Sequence, residues 1–316
     1  MKKIGVLFPG QASQYVGMGR EFAKKDPAMR EILETGERIT GLSLVNLCFE
    51  GPIEELTRTL NCQPAVYGVS LICWEMVRRR IPFPPAGCAG HSVGEYTALV
   101  ASGVIDAAEG FYLIRKRAQY IETICRDIDG GMIAVIGRSP GEIEQLLESF
   151  PELDIANINA PQQIVVSGLT KDIRHFEEHL LQRKIRAIPL RVSGPFHSRH
   201  MKPAGDLLAV ELSKVSFKQP LMPVFLNGTG EKTTDVGTIM TGLPAQLSSP
   251  VRWTDTIINM AADGMDIFIE IGPKKVLKGL VEKILPSATV LNVEDMKTLG
   301  ETEQRLNELL SREGRS

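Results

Sequence analysis

The sequence is poor in the residues and patterns that mark metal, nucleic-acid or membrane proteins. Its 316 residues include five histidines and five cysteines. Cys48, Cys62, Cys73, Cys88 and Cys125 are spaced too widely for a CxxC pair or a Cys/His metal cluster. An odd number of scattered thiols suits buried cysteines of a reducing compartment, not a disulfide framework. Charge is nearly balanced, 36 basic against 38 acidic residues with no long basic block, so nucleic acid is not an expected partner. No apolar run reaches the length of a membrane span. The opening MKKIGVLFPG carries two lysines and an apolar stretch, as a signal peptide does. Pro9-Gly10 ends that stretch too soon, and it reads as a first strand. The expected location is the cytoplasm.

What is present is an ordinary globular composition, 43% apolar and 23% charged. The length suits one large domain or a core carrying an inserted subdomain, with disorder expected only in the polar tail, 311–316. Short apolar runs predict strands at 4–8, 87–90, 132–136, 163–166, 187–192, 224–227, 267–271 and 290–293. Helical periodicity is clearest over 65–79, 94–102, 107–124, 142–149, 171–182 and 254–262. Alternating strands and helices make the class α/β. Between 130 and 193, with a further strand near 154–159, the order becomes strand, helix, two strands, helix, strand, that of a ferredoxin-like unit. The expected division is therefore a large α/β-hydrolase-like domain with a parallel sheet, 1–127 and 196–316, interrupted by a ferredoxin-like subdomain, 128–195.

Gly90-His91-Ser92-Val93-Gly94 fits the GxSxG pattern between a predicted strand and a predicted helix. Flanking glycines permit the tight turn that lifts a serine hydroxyl to the positive end of the following helix, and the Val93 N–H would face an oxyanion. Such a serine needs a base. His175 and His179 lie one turn apart on a charged helix, where a solvated face is the simpler reading than a metal pair. His91 adjoins the serine but is expected to point elsewhere, in a structural role. His197 lies in a loop between strand and helix, Ser193-Gly194-Pro195-Phe196-His197-Ser198, with His200 as its rival. On the 107–124 helix, Arg115 and Lys116 read as a solvated face. Arg117 borders the apolar stripe of Phe111, Ile114 and Ala118, and an arginine against apolar surface needs an anionic partner.

These residues resemble the malonyl-CoA:acyl-carrier-protein transacylases of fatty-acid synthesis and the related acyltransferases of polyketide synthases. The resemblance runs from Phe8 to about Leu280. Besides the serine and histidine loops it rests on Phe8-Pro9-Gly10-Gln11-Ala12-Ser13-Gln14, Gln63-Pro64-Ala65, Arg117, Asn157-Ile158-Asn159, Gln246-Leu247-Ser248-Ser249-Pro250-Val251 and Glu270-Ile271-Gly272-Pro273. It implies Ser92 as nucleophile and His197 as base. It also implies Gln11 as the second oxyanion N–H beside Val93, and the Gln246 carbonyl as the group that fixes the His197 tautomer. Arg117 would hold a malonate carboxylate, with Gln63 and Asn159 near the site and Phe196 in a malonyl-type loop. The substrates would be malonyl-CoA and an acyl carrier protein, with no metal or redox cofactor. Carrier docking would use Arg183, Lys184 and Arg186, with Arg199, Lys202 and Lys274-Lys275 as additions.

Two positions depart from the pattern. Ala12 stands where the family usually has glycine, which strains the loop if φ is positive there. Val93 replaces a longer side chain and is expected to reshape the acyl pocket. Other readings of the same residues are a serine esterase or thioesterase of the α/β-hydrolase type, a trans-acting polyketide synthase acyltransferase, and a non-catalytic carrier-docking module.

Overall fold

The computed structural model describes residues 2–311; all but the first residue of the 311–316 tail expected to be disordered lies outside them. Among the described residues ten strands form two separate sheets. Strands β1 (Lys3–Phe8), β2 (Gly87–Gly90), β7 (Val224–Phe225), β8 (Lys232–Thr233), β9 (Met265–Ile271) and β10 (Thr289–Val293) make the larger one, in the order β10-β9-β1-β2-β7-β8. All its pairings are parallel except β7 with β8. The central strand β1 is buried on both faces from Ile4 to Phe8, as a parallel strand covered by helices must be. Strands β3 (Gly130–Ile136), β4 (Asp154–Ala160), β5 (Gln163–Leu169) and β6 (Arg186–Pro189) form the second sheet, antiparallel, in the order β4-β5-β3-β6. A single bridge, Asn157 to Val251, touches it from the larger part. The fold is thus mixed α/β with a mostly parallel sheet and a separate antiparallel one.

Two expected strands are shorter than the sequence suggests. The last strand of the small sheet ends at Pro189 instead of reaching Val192, because Leu190 and Val192 turn into the wall of a cavity. Strand β7 ends at Phe225 because Asn227 turns inward to bind the serine loop, described below. Four cysteines are buried as expected, whereas Cys125 is only half-buried; all five are free. Arg115, expected on a solvated face, is half-buried with one guanidinium nitrogen enclosed. Among the described residues no helix is long and apolar enough to cross a membrane.

Helix Ala107–Asp127 begins at a reciprocal cap, Asp106 accepting from the Glu109 N–H and Glu109 from the Asp106 N–H. Its buried face carries Phe111, Ile114, Ala118, Ile121 and, among them, Arg117. Helix Lys202–Leu212 is clasped to it by Glu211, which accepts from the hydroxyls of Tyr112 and Tyr120 and from Lys214. These contacts hold the helix that carries Arg117 against helix Lys202–Leu212.

The serine turn is packed backbone on backbone. A Cβ added at Gly90 would lie 2.0 Å from the carbonyl carbon and oxygen of Gly94, and one at Gly94 would lie 2.2 Å from the Phe8 carbonyl oxygen. Neither neighbour is a side chain that can swing aside. Gly90→Ala should therefore cost at least the ~1–3 kcal/mol of an overpacked core. Urea denaturation measures it as a lower midpoint at an unchanged slope.

Candidate active site

Ser92 sits between β2 and helix Gly94–Ala101 at φ 52°, a left-handed conformation that a serine adopts only when held there. The holding group is Asn227, which the sequence reading missed. Its side-chain oxygen accepts the Ser92 N–H at 2.7 Å, and its side-chain nitrogen donates to the Gly90 carbonyl at 2.6 Å. The Asn227 N–H in turn donates to the buried carboxylate of Glu95 at 3.4 Å.

The Ser92 hydroxyl faces His197 Nε2 at 2.9 Å, and His197 Nδ1 faces the backbone carbonyl of Gln246 at 2.9 Å. A carbonyl only accepts, so the ring proton is on Nδ1 and Nε2 is left bare to receive the serine proton. Arg117 Nη2 donates to the same hydroxyl at 3.1 Å and to the side-chain oxygen of Gln246 at 3.0 Å, while Nη1 donates to Gln63 at 2.7 Å. The side-chain nitrogen of Gln246 donates to the Ser92 carbonyl at 3.1 Å and to Glu95 at 2.5 Å. Arg117, Gln246, Gln63, Glu95 and His197 are all buried.

This crowding tilts the charges. Burial, with the Arg117 charge adding to it and the Gln246 carbonyl opposing, pushes the His197 imidazole down to about 3. Burial pushes Glu95 up to about 7, against the hydrogen bonds from Gln246 and Asn227 and the charge of Arg117. Burial likewise lowers Arg117, with Glu95 among the groups that support its charge. The imidazole is therefore neutral and able to accept a proton at any ordinary pH.

These groups open onto a cavity of about 240 Å³, walled by the small sheet and by loops and helices of the larger part. Ser92, His197, Arg117, Gln63, Gln11, Asn159 and Phe196 all line it. Gln246 stands behind His197 and Arg117. Val93 does not line the cavity: its side chain is buried in the main core, so the expected reshaping of the pocket has no direct contact to act through. His91 also lines it, its ring turned away from the Ser92 hydroxyl, with Nε2 2.8 Å from Asn159 Oδ1 and the ring against Trp253. Asn159 thus reaches the site through His91. His200, the rival base, is half-buried and not on the cavity wall. Met132, Gln163 and Val165 of the small sheet complete the wall with Leu190 and Val192. The apolar runs 132–136, 163–166 and 187–192 are the sequence signals for this part of the wall, and each reads as strand.

Among the basic residues expected to dock a carrier, Arg199 is engaged by Asp154 and Lys202 by Asp206. Arg183, Lys184 and Arg186 are exposed. Lys274 donates to the Ala12 carbonyl at 3.1 Å.

A serine hydroxyl on a tight strand–helix turn, a neutral imidazole beside it and a guanidinium at the same oxygen form a site suited to acyl transfer through a serine ester. Residues 6–313 match the family model described as acyl transferase domain, and the chain belongs to that family. Its relatives include the malonyl CoA-acyl carrier protein transacylase of Bacillus subtilis strain 168, 38% identical over 98% of both chains. The solved transacylase of the same name from Clostridium perfringens superposes with a TM-score of 0.93 at 35% identity, covering 99% of each chain. A malonyl-transacylase solved in complex with its type II PKS acyl-carrier protein gives 0.92 at 31% identity, over 96% of this chain and 100% of that one.

The depressed imidazole has a measurable consequence. Modification of Ser92 by a fluorophosphonate should stay flat from pH 8 to pH 5, because the neutral fraction of His197 is lost only on approach to its own pKa. A base at the ordinary value near 6.5 would already lose about tenfold by pH 5.5. Arg117→Ala removes a positive charge from beside the ring while burial remains, so the acid limb should move upward. A wild-type limb centred near 6.5 would contradict the assignment.

Proposed function

We propose that the chain moves a malonyl group from malonyl-CoA to the phosphopantetheine thiol of an acyl carrier protein, through an ester on Ser92. The observation that carries this reading is the buried guanidinium of Arg117, 3.1 Å from the Ser92 hydroxyl. A site for neutral acyl groups gains nothing from a charge at that point, whereas the free carboxylate of malonate matches its planar fork.

In the first half-reaction His197 Nε2 takes the Ser92 proton as the oxygen attacks the thioester carbonyl. The tetrahedral oxyanion rests on the Val93 and Gln11 amides, and the Gln246 carbonyl stabilises the imidazolium through Nδ1. Collapse expels the coenzyme A thiolate, which takes the proton from His197. In the second half-reaction the carrier thiol gives its proton to His197 and attacks the ester, and Ser92 recovers its proton. Gln63 and Gln246 hold Arg117 in position, and Phe196 and Asn159 shape the acyl pocket. The chemistry calls for no metal or redox cofactor, coenzyme A being a substrate.

We read the architecture as an α/β-hydrolase-like core, 1–127 and 196–316, with a ferredoxin-like insert, 128–195. Support for that division comes from the strand order β4-β5-β3-β6 and from the isolated bridge, Asn157 to Val251, by which the larger part touches that sheet. Fatty-acid synthesis in the cytoplasm is the setting that fits the relatives' names and the five free thiols. The exposed Arg183, Lys184 and Arg186 are the basic surface assigned to the carrier.

Incubation with malonyl-CoA followed by intact-mass measurement tests the reading. A malonyl adduct should form on the wild type, with little free malonate until a carrier is added, and none should form on Ser92→Ala. Rapid malonate release without carrier would make the protein a thioesterase. Arg117→Ala should lose malonyl transfer while keeping or gaining acetyl transfer, and Arg117→Lys should recover it only in part. An unchanged malonyl-over-acetyl preference would remove Arg117 from the carboxylate site.

A further inference from the structure

Among the described residues five other than glycine have a positive φ: Ala12 at 81°, Ser92 at 52°, Lys184 at 56°, His197 at 56° and Lys274 at 62°. Ser92 and His197 are held there to face each other. Ala12 and Lys274 have no such partner reaction, yet they are bonded to one another.

Alanine has no side-chain hydrogen bond with which to stabilise a left-handed backbone, so Ala12 lies uphill of the conformation that it would choose alone. The surroundings hold its peptide groups on both sides. Its N–H donates to the side-chain oxygen of Gln14 at 2.8 Å, and its carbonyl accepts from the Lys274 ammonium at 3.1 Å. Gln14 is anchored by Cys62 and Thr57 of the neighbouring helical layer. Lys274 is anchored by its own N–H, which donates to the Glu294 carboxylate at 2.8 Å just past β10. Ala12 and the preceding Gln11 both line the cavity. Any relaxation of Ala12 toward negative φ must rotate a peptide group adjoining Gln11 or Ser13.

We propose that Lys274 is a positioning residue for the serine reaction: its ammonium fastens the Ala12 carbonyl and so keeps the Gln11–Ala12 turn in the left-handed form that presents the Gln11 amide to the cavity. This rests on the assignment of Gln11 to the oxyanion. A left-handed turn built with glycine has no strain to restrain, whereas one built with alanine needs the outside tether. The tether and the alanine are therefore coupled.

The experiment is a cycle of Lys274→Met and Ala12→Gly in the full chain. Three quantities are read: the burst rate of Ser92 acylation by malonyl-CoA, the KM for malonyl-CoA, and hydrogen exchange of the Ala12 amide. Lys274→Met should slow the burst by about tenfold with alanine at 12 and by no more than about twofold with glycine there, since coupled neighbours are not additive. Exchange at the hydrogen-bonded Ala12 amide should rise only in the alanine background, and Lys274→Arg should restore burst and protection. Equal losses in both backgrounds, or a change confined to KM as expected of a lysine that binds coenzyme A phosphate, would overturn the proposal. So would unaltered exchange. A loosened amide with an unchanged burst would support the tether and overturn instead the oxyanion assignment of Gln11.

Discussion

The hydrogen bond from His197 Nδ1 to the Gln246 carbonyl sets the polarity of everything around it. Because that oxygen can only accept, Nε2 is an acceptor, and the Ser92 hydroxyl must donate toward it. The serine oxygen is then free to accept from Arg117, so one hydroxyl links the base to the fixed positive charge. The same glutamine secures the other parties with its side chain, receiving from Arg117 and giving to the Ser92 carbonyl and to Glu95. Its own N–H is occupied by the Gly242 carbonyl of the helix that ends there. A residue with every polar atom engaged cannot rotate without breaking several bonds at once, which is what a reference point for three reacting groups requires.

A buried guanidinium is tolerable only with compensation. Here part of it comes from Glu95, three residues past the nucleophile, its carboxyl pushed up to about 7 by burial, with Gln246 between the two groups. The carboxyl group stands two hydrogen bonds away from the arginine, and the three hydrogen bonds that the guanidinium itself donates all go to neutral groups. The positive charge is thus stabilised without being cancelled at the point where an incoming anion would meet it. Burial first, and the same charge second, keep the imidazole unprotonated.

The α/β class, the strand–turn–helix around Ser92, the small antiparallel sheet and the helix of Arg117 were legible because each rests on local pattern: apolar runs, glycine spacing and the stripe beside Phe111. The burial of Arg117 followed from position on a helix face alone. The Gln246 carbonyl entered only through family resemblance, since a backbone oxygen carries no residue signature. Asn227 was invisible for a different reason. An asparagine whose partners lie 135 and 137 residues away reads as a strand-end polar residue, and only the closed sheet brings it under the serine. Leu190 and Val192 misled because a cavity wall and a strand ask for the same apolar residues. Val93 misled in the opposite sense, since adjacency to the nucleophile in sequence gave no hint that its side chain points into the core.

The cavity draws its parts from two sources. The nucleophile, the base and the guanidinium follow β2, the loop before helix Lys202–Leu212 and helix Ala107–Asp127, whereas much of the apolar wall comes from the antiparallel sheet and the segment after it. Met132, Gln163, Val165, Leu190 and Val192 touch none of the hydrogen bonds that join Ser92, His197, Gln246 and Arg117. Substitution there alters the room left for an acyl chain without disturbing the proton path. Selectivity for size and competence for chemistry are therefore separately heritable. Evolution can redraw the mould while leaving the tool in place.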